Sequence, residues 1–300
     1  MESTSAKFGV SSNRMESSIA ERLERGDVIY YPKCPFSLPE GDDRSFLLEQ
    51  RLGRGHKNIH YNPHTGVAGG FDRRSPAQAA RLRGLLLEFS ATATQWLSGI
   101  LSQYASAWGL DQVSYRPEEE STRRLGAKSR NDLLHVDAFP SRPTNGHRIL
   151  RLFVNINPTE PRVWATSDPF GKLLERFGSQ AGLPTRGANT LTRRAFEGVL
   201  GIIQPVRRQR SKYDCFMLRF HDFLKRNEDF QRRGPKRLWN FQPGSAWVVF
   251  TDTASHAALR GRFALEHSYF IAPQTLSLPT ESPPVLLQRA CGIPVLKQTA

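Results

Sequence analysis

The sequence predicts an all-β core with helices, an α+β fold in which an antiparallel barrel or sandwich is buttressed by helices. Three observations carry this. Residues 149–157 alternate between apolar and mixed positions with a period of two. A stretch at 75–104 has helical spacing throughout. Residues 168–231 are helical in pattern, and strand-like runs return after them at 241–252 and 261–273. Strands that flank a helical insertion do not alternate as βαβ units, and no phosphate-cradling glycine loop is present.

Taken in chain order, residues 1–26 form a polar tail without the apolar run of a secretory signal, which places the protein in the cytoplasm. DVIYYPKCPFSL, 27–38, mixes aromatic and β-branched residues with prolines and is expected to be an edge strand with its turn. The segment from Ser75 opens with a cap and Pro76 at the first helical position. Leu82, Leu85, Leu86, Phe89, Ala93, Trp96, Ile100 and Tyr104 then follow at helical spacing, with a break expected near Thr92. In 149–157, Leu150, Leu152, Val154 and Ile156 form a core face, while Ile149, Arg151, Phe153, Asn155 and Asn157 line a cavity. The helical stretch carries a buried stripe of Phe216, Met217, Phe220, Phe223 and Leu224. The expected organisation is therefore a tail over 1–26 and one domain over 27–300, with a helical insertion at about 168–231.

Composition narrows the function classes. The 300 residues are 38% hydrophobic, and no window reaches the run of about eighteen apolar residues that a membrane span needs. Cys34, Cys215 and Cys291 are odd in number and lack C-x-x-C spacing, which excludes a disulfide framework or a zinc knuckle. The formal charge of +14 is concentrated in runs such as RRQR at 207–210 and QRRGPKR at 231–237, so an anionic partner is expected. Charge alone does not separate nucleic acid, a membrane surface and an anionic substrate.

Chemistry enters at LLHVDAFPSRPTNGHRILRLFVNINP, 133–158. In extended chain His135 and Asp137 project from one face and can grip an ion together. His256 follows at the end of a predicted strand, and two His with one carboxylate from distant strands make the facial triad of non-haem Fe(II) oxygenases. The open positions of such a centre suit a 2-oxo acid and O2. A 2-oxoglutarate enzyme also needs a cation for the far carboxylate. The position about ten residues after the distal His, a familiar place for it, holds Glu266. Arg151, beside Phe153 and Asn155 on the cavity face, is read as the anchor instead, with Arg260 and Arg262 in reserve. His267 is read as a core histidine, and His221, next to Asp222, as a helix-surface residue.

With these residues in view, the chain resembles the Kdo hydroxylases, Fe(II)- and 2-oxoglutarate-dependent dioxygenases that convert the Kdo sugar of lipopolysaccharide into its 3-hydroxylated form. The blocks KNIHYNP, LLHVDAFPSRPTNGHRILRLFVNINP, PRVW, YDCFMLRFHDFLK and PGSAWVVFTDTASHAALRGRFALEHSYFIAP carry the resemblance. It implies a double-stranded β-helix, or jelly roll, with iron on His135, Asp137 and His256. It also implies the cofactors Fe(II), 2-oxoglutarate and O2, with ascorbate as reductant. The implied substrate is Kdo-lipid A at the cytoplasmic face of a Gram-negative inner membrane, which the basic runs would approach peripherally, with no nucleic-acid partner. Arg123, Arg124, Lys128, Arg130 and Arg142, which flank the His-x-Asp pair, are expected to include the groups that hold the Kdo carboxylate. Two other readings remain: a dioxygenase acting on protein or nucleic acid, and a non-catalytic cupin-like sugar- or lipid-binding protein.

Overall fold

A computed structural model describes residues 17–72, 75–123, 126, 129–184 and 210–296. Its strands are β1 (Ile29–Tyr31), β2 (Ile59–Tyr61), β3 (Ala68–Gly69), β4 (Gly109–Arg116), β5 (Arg148–Asn155), β6 (Arg162–Pro169), β7 (Arg237–Phe241), β8 (Ala246–Phe250), β9 (Ala254–Arg260) and β10 (Ala264–Ile271). They form a seven-stranded sheet in the order β1-β8-β5-β10-β4-β2-β3 and a three-stranded sheet in the order β7-β6-β9. Every pairing in both sheets is antiparallel. The architecture is the expected jelly roll with flanking helices.

The period-two reading of β5 describes how the sheets face each other. Leu150, Leu152, Val154 and Ile156 pack into a core shared with the long helix α3 (Pro76–Ile100), on the outer side of the large sheet. Phe153 points the other way, into an inter-sheet layer with Trp164, Phe241, Trp247 and Val249. Removing the large side chains of either layer from water contributes about 1.5–3 kcal/mol each. α3 is capped as expected, with Ser75 Oγ accepting from Gln78 N. It runs past Thr92 without interruption and ends at Leu101, after which α4 (Ser102–Ala105) carries Tyr104. Thr92 is half-buried and Ala93 next to it is fully buried, so packing of the stripe carries the helix through that turn.

Two expectations shift at the edges. The tail expected to reach residue 26 turns helical earlier, at α1 (Ile19–Glu24), where Ser18 and Glu21 form a capping box and Leu23 is fully buried. A second short helix, α2 (Gly41–Leu48), follows β1. Between β6 and β7 the chain carries α5 (Phe170–Phe177), α6 (Lys212–Arg226) and α7 (Glu228–Arg233). The C-terminal α8 (Pro283–Cys291) joins α5 and α6 in a third apolar cluster that includes Phe216, Met217, Phe220 and Leu224.

Candidate metal centre

The His-x-Asp element is held by the smaller sheet. His135 and His256 face each other as an antiparallel pair that exchanges both backbone hydrogen bonds, at 3.1 and 2.8 Å. On either side, Asn131 O accepts from Ala258 N and Asp137 N donates to Thr251 O, both at 2.8 Å. Residues 131–137 thus run beside β9 and the turn before it, joined to β9 through the His135–His256 bridge. Leu134 and Val136 enter the helical cluster, and His135 and Asp137 alternate onto the opposite, cavity side.

The side chains converge. His135 Nε2 stands 3.5 Å from Asp137 Oδ1, and His256 Nε2 stands 3.9 Å from the same oxygen. The two imidazole centroids are 4.7 Å apart. Each ring is oriented by its own backbone: Nδ1 of His135 donates to Leu133 O at 2.7 Å, and Nδ1 of His256 donates to Ala254 O at 2.9 Å. Because a carbonyl can only accept, the proton resides on Nδ1 and each Nε2 lone pair is left for a metal. Burial lowers the pKa of both imidazoles, most strongly that of His135. Burial alone would raise the Asp137 carboxyl; Arg151, followed by the two histidines, holds it well below the usual carboxylate range. Two neutral imidazoles and one carboxylate are the donor set of a non-haem Fe(II) centre, and the residues fit that ion.

A third imidazole reaches the site. His221, on α6, lies edge-on against His135 at 4.7 Å, and its Nδ1 donates to the carbonyl of Val136, the residue between the two strand ligands, at 2.8 Å. A donor atom of His221 lies within 4.8 Å of those of His135 and Asp137. Burial, then Lys225, pushes its pKa down to about 4. The surface role expected for it is therefore wrong. Met217, one turn before His221 on α6, is buried in the helical cluster, and this side of the helix meets the His-x-Asp backbone.

The cavity beside these ligands is lined by Arg116, Glu120, Asn131, Arg151, Phe153, Arg162, Trp164 and Ala258. Its open volume is only about 40 Å³, well below the roughly 300–1,000 Å³ of ligand pockets. Arg151 is where the sequence places it, and its guanidinium bridges Asp137, at 2.5 Å, and Glu266. Glu266 also accepts from Arg116 Nε at 3.0 Å, so the acidic residue that broke the familiar pattern orients two arginines. Arg162 donates to Glu120 at 3.0 Å and to Gly261 O at 2.9 Å. Gly261, at φ +117, allows this approach, since a Cβ there would lie 2.9 Å from Arg162 Cα.

Among the described residues, Arg151 Nε, Arg162 Nε and Trp164 Nε1 are buried donors without a partner. Buried polar groups are nearly always satisfied, and three orphaned donors around one cavity suit a small dicarboxylate. Phe153 supplies an apolar wall, stacked on Trp247 at 5.2 Å, and Trp164 stacks on His256 at 5.2 Å. Asn155 departs from its expected role: its amide donates to Glu160 O and Phe241 O, tying β5 to the loop after it. Arg116, Arg162, Trp164 and His221 escaped the sequence reading. Only the strand alternation of Arg162 and Trp164 in PRVW could have signalled two of them.

The arginines expected to hold a sugar carboxylate are spent on protein partners. Arg123 pairs with Glu118 and Glu120, Arg130 with Asp132, and Arg142 with Asp111 while lying over the Phe139 ring. None of the three lines the cavity; Arg124 and Lys128 lie outside the described residues. The reserve candidates Arg260 and Arg262 also lie outside the lining, Arg262 resting over Phe263.

The sequence profile of the 3-deoxy-D-manno-oct-2-ulosonic acid (Kdo) hydroxylases matches residues 9–294. No curated protein matches the chain significantly. Among solved structures, that of the Kdo hydroxylase KdoO in complex with cobalt(II), a non-haem Fe(II) α-ketoglutarate-dependent dioxygenase, is 33% identical with a TM-score of 0.81. The alignment covers 94% of this chain and 91% of that one. The KdoO complex with α-ketoglutarate and Fe(III) gives 33% identity over the same shares with a TM-score of 0.80. The complex with succinate and Fe(III) gives 32% and 0.79, again over 94% and 91% of the two chains.

Proposed function

The chain belongs to the family of Kdo hydroxylases, Fe(II)- and 2-oxoglutarate-dependent dioxygenases, and from that premise we propose that it hydroxylates the 3-position of Kdo carried on lipid A, releasing the hydroxylated sugar Ko, succinate and CO2. The observation that carries this reading is the placement of three orphaned donors, Arg151 Nε, Arg162 Nε and Trp164 Nε1, beside the convergent His135, Asp137 and His256. The histidines and Asp137 hold Fe(II), and the arginines with Trp164 hold 2-oxoglutarate. When bound, this pair with O2 supplies the oxidising power for hydroxylation of an unactivated C–H bond.

The protein's own part is positional. Leu133 O and Ala254 O fix the tautomers that aim both Nε2 atoms inward. Arg151 keeps Asp137 ionised and oriented. Phe153, Trp164 and Trp247 exclude water from the side of the cavity facing the inter-sheet core. His221 fixes the peptide between His135 and Asp137 and holds a ring nitrogen within 4.8 Å of their donor atoms. The cavity is far too small for a lipid-linked sugar, so the sugar approaches from the surface.

The reaction takes place at the cytoplasmic face of the inner membrane of a Gram-negative bacterium, with the enzyme attached peripherally. No helix among the described residues is long and apolar enough to cross a membrane. α7 and β7 present Arg232, Arg233, Lys236 and Arg237 next to Leu238, an exposed apolar side chain at 63%. Such charges are each worth about 1 kcal/mol near an anionic leaflet. Arg210 does not belong to this surface, because it donates to the carbonyls of Phe139 and Pro140 and pins that loop.

The test is succinate formation by the anaerobically purified protein given Fe(II), ascorbate, 2-oxoglutarate and air, with and without Kdo-bearing lipid A. Succinate coupled to a one-oxygen mass gain on the sugar is the expected result. Succinate without that gain would keep the dioxygenase and remove the substrate.

A further inference from the structure

Among the described residues, the segment that carries His135 and Asp137 pairs with a strand along one edge only, where His135 exchanges backbone hydrogen bonds with His256. Along its other edge the helical insertion supplies side chains in place of a strand. Gln231 of α7 accepts from Leu134 N and donates to Leu134 O, both at 2.9 Å, and His221 of α6 donates to Val136 O at 2.8 Å. Further along, Arg210, buried just ahead of α6, donates to Phe139 O at 3.2 Å and also to Pro140 O. Asp214 of α6 then accepts from Thr144 N at 2.7 Å and Asn145 N at 3.1 Å.

Strand alternation continues past the metal ligands. Leu134, Val136 and Ala138 pack in the helical cluster, so His135, Asp137 and Phe139 share the opposite side. Pro140 favours this, because the residue before a proline is driven to extended backbone. The half-buried Phe139 ring thereby meets Arg151, whose guanidinium carbon lies 6.0 Å from its centroid and 5.2 Å from that of Phe153. Arg142, paired with Asp111 of β4, lies 4.4 Å from the centroid of the Phe139 ring, and Phe270 of β10 meets it at 6.2 Å. Arg151 therefore reaches Asp137 and Glu266 with two aromatic rings against it, and apolar neighbours that exclude water strengthen such ion pairs. With Nη1 and Nη2 held in this way, a tilt of the guanidinium plane would misaim the buried Nε.

We propose that Phe139 is a positioning residue that keeps the Arg151 guanidinium dry and aligned for 2-oxoglutarate, and that Arg210 is the latch through which the helical insertion holds Phe139 there. The proposal rests on the assignment of Arg151 to the co-substrate made above. An arginine suits the latch, because its planar fork reaches the carbonyls on both sides of the 139–140 peptide and fixes the backbone that carries the ring.

The experiment titrates cobalt(II), and then 2-oxoglutarate on the cobalt-loaded protein, under anaerobic conditions with the visible spectrum of cobalt as readout, so that no lipid substrate is needed. Wild type is compared with Phe139→Ala, Phe139→Tyr, Arg210→Ala, the double variant Phe139→Ala/Arg210→Ala, and Arg151→Lys. Phe139→Ala is expected to raise the Kd of 2-oxoglutarate by roughly threefold to tenfold, the scale of a guanidinium–ring contact, with cobalt affinity unchanged. Phe139→Tyr, which keeps the ring, is expected to bind as wild type does. Arg210→Ala is expected to weaken 2-oxoglutarate in the same direction, and the double variant to be no weaker than Phe139→Ala, because the latch acts through the ring. An unchanged Kd in Phe139→Ala overturns the proposal. So does a parallel loss of cobalt and 2-oxoglutarate affinity in that variant, or a loss that Phe139→Tyr shares, since general loosening of the site predicts both. Additive losses in the double variant overturn the latch. Wild-type 2-oxoglutarate affinity in Arg151→Lys removes the anchor assignment and this proposal together, whereas a loss in Arg151→Lys with none in Phe139→Ala removes Phe139 alone.

Discussion

Arg151 Nη1 donates to Asp137 Oδ2 at 2.5 Å, so the residue read from sequence as a co-substrate anchor also holds the carboxylate of the metal site. The two roles share one guanidinium: Nη1 and Nη2 serve Asp137 and Glu266, and the buried Nε is left for a ligand.

Arg151→Ala is therefore expected to impair metal and 2-oxoglutarate binding together, where a pure anchor would affect only the second. Removing one partner of a buried ion pair costs about 3–5 kcal/mol, and 2-oxoglutarate affinity should fall by well over tenfold. Arg151→Lys retains the charge without the fork and should keep metal while losing co-substrate affinity. Titrations of cobalt(II) and of 2-oxoglutarate on each variant check this. Normal metal affinity in Arg151→Ala would separate the roles.

How much of this was legible in the sequence follows from the range of the interactions. The His-x-Asp pair and Arg151 were readable because strand alternation is local: side chains two apart share a face whatever the rest of the chain does. The core face of β5 was readable for the same reason. The use of Glu266 to orient Arg116 and Arg151 was not, since it depends on β10 lying between β4 and β5. His221 was misread because its neighbours on α6 settle only that the helix is amphipathic, and not that the Val136 carbonyl waits at its inner edge. Asn155 was misread because alternation gives a direction and not a partner; backbone carbonyls at Glu160 and Phe241 take its amide before it can reach the cavity.

His221 separates from the metal ligands by what its loss leaves intact. Its bond to Val136 O orients the peptide between His135 and Asp137 from outside the strand pair. His221→Ala should lower kcat by roughly ten- to hundredfold, the usual effect of losing a partner that orients ligands, with 2-oxoglutarate affinity close to wild type. Single-turnover kinetics with preloaded co-substrate reads this directly. A variant with unchanged kcat would return His221 to a packing role.

Metal loading provides an activity-free check on the ligand set. Cobalt(II) at a hundred times its Kd stabilises the folded state by about 2.7 kcal/mol, which for a chain of this size is a rise of several degrees in Tm. Wild type and His221→Ala should both show the rise, and His135→Ala and His256→Ala should not. A persistent shift in His256→Ala, with loss in His221→Ala, would move the second imidazole ligand from β9 to α6, a permutation that the 4.8 Å grouping of His135, Asp137 and His221 makes worth testing.

Acid should destabilise the fold well above the carboxylate range. His267 is fully buried, with Nδ1 against the Tyr269 hydroxyl at 2.6 Å, and burial pushes its pKa down to about 3. An unfolded histidine titrates near 6.5, so between about pH 6.5 and 3 the unfolded chain binds a proton that the folded chain refuses. Stability then falls as pH falls, with a slope approaching ~1.4 kcal/mol per pH unit from this residue once the pH is well below 6.5. His135, His221 and His256 are shifted in the same direction and steepen the loss. Asp137 and Glu120 are shifted down as carboxylates, so their contribution is intact above about pH 5 and is lost progressively only below it. Urea midpoints between pH 7.5 and 5, within about that range, should therefore drop steadily in wild type and less steeply in His267→Gln. Because the readout is the slope and not the absolute stability, it survives whatever packing cost the substitution carries, and an identical slope in the variant would mean that His267 is protonated in the folded state.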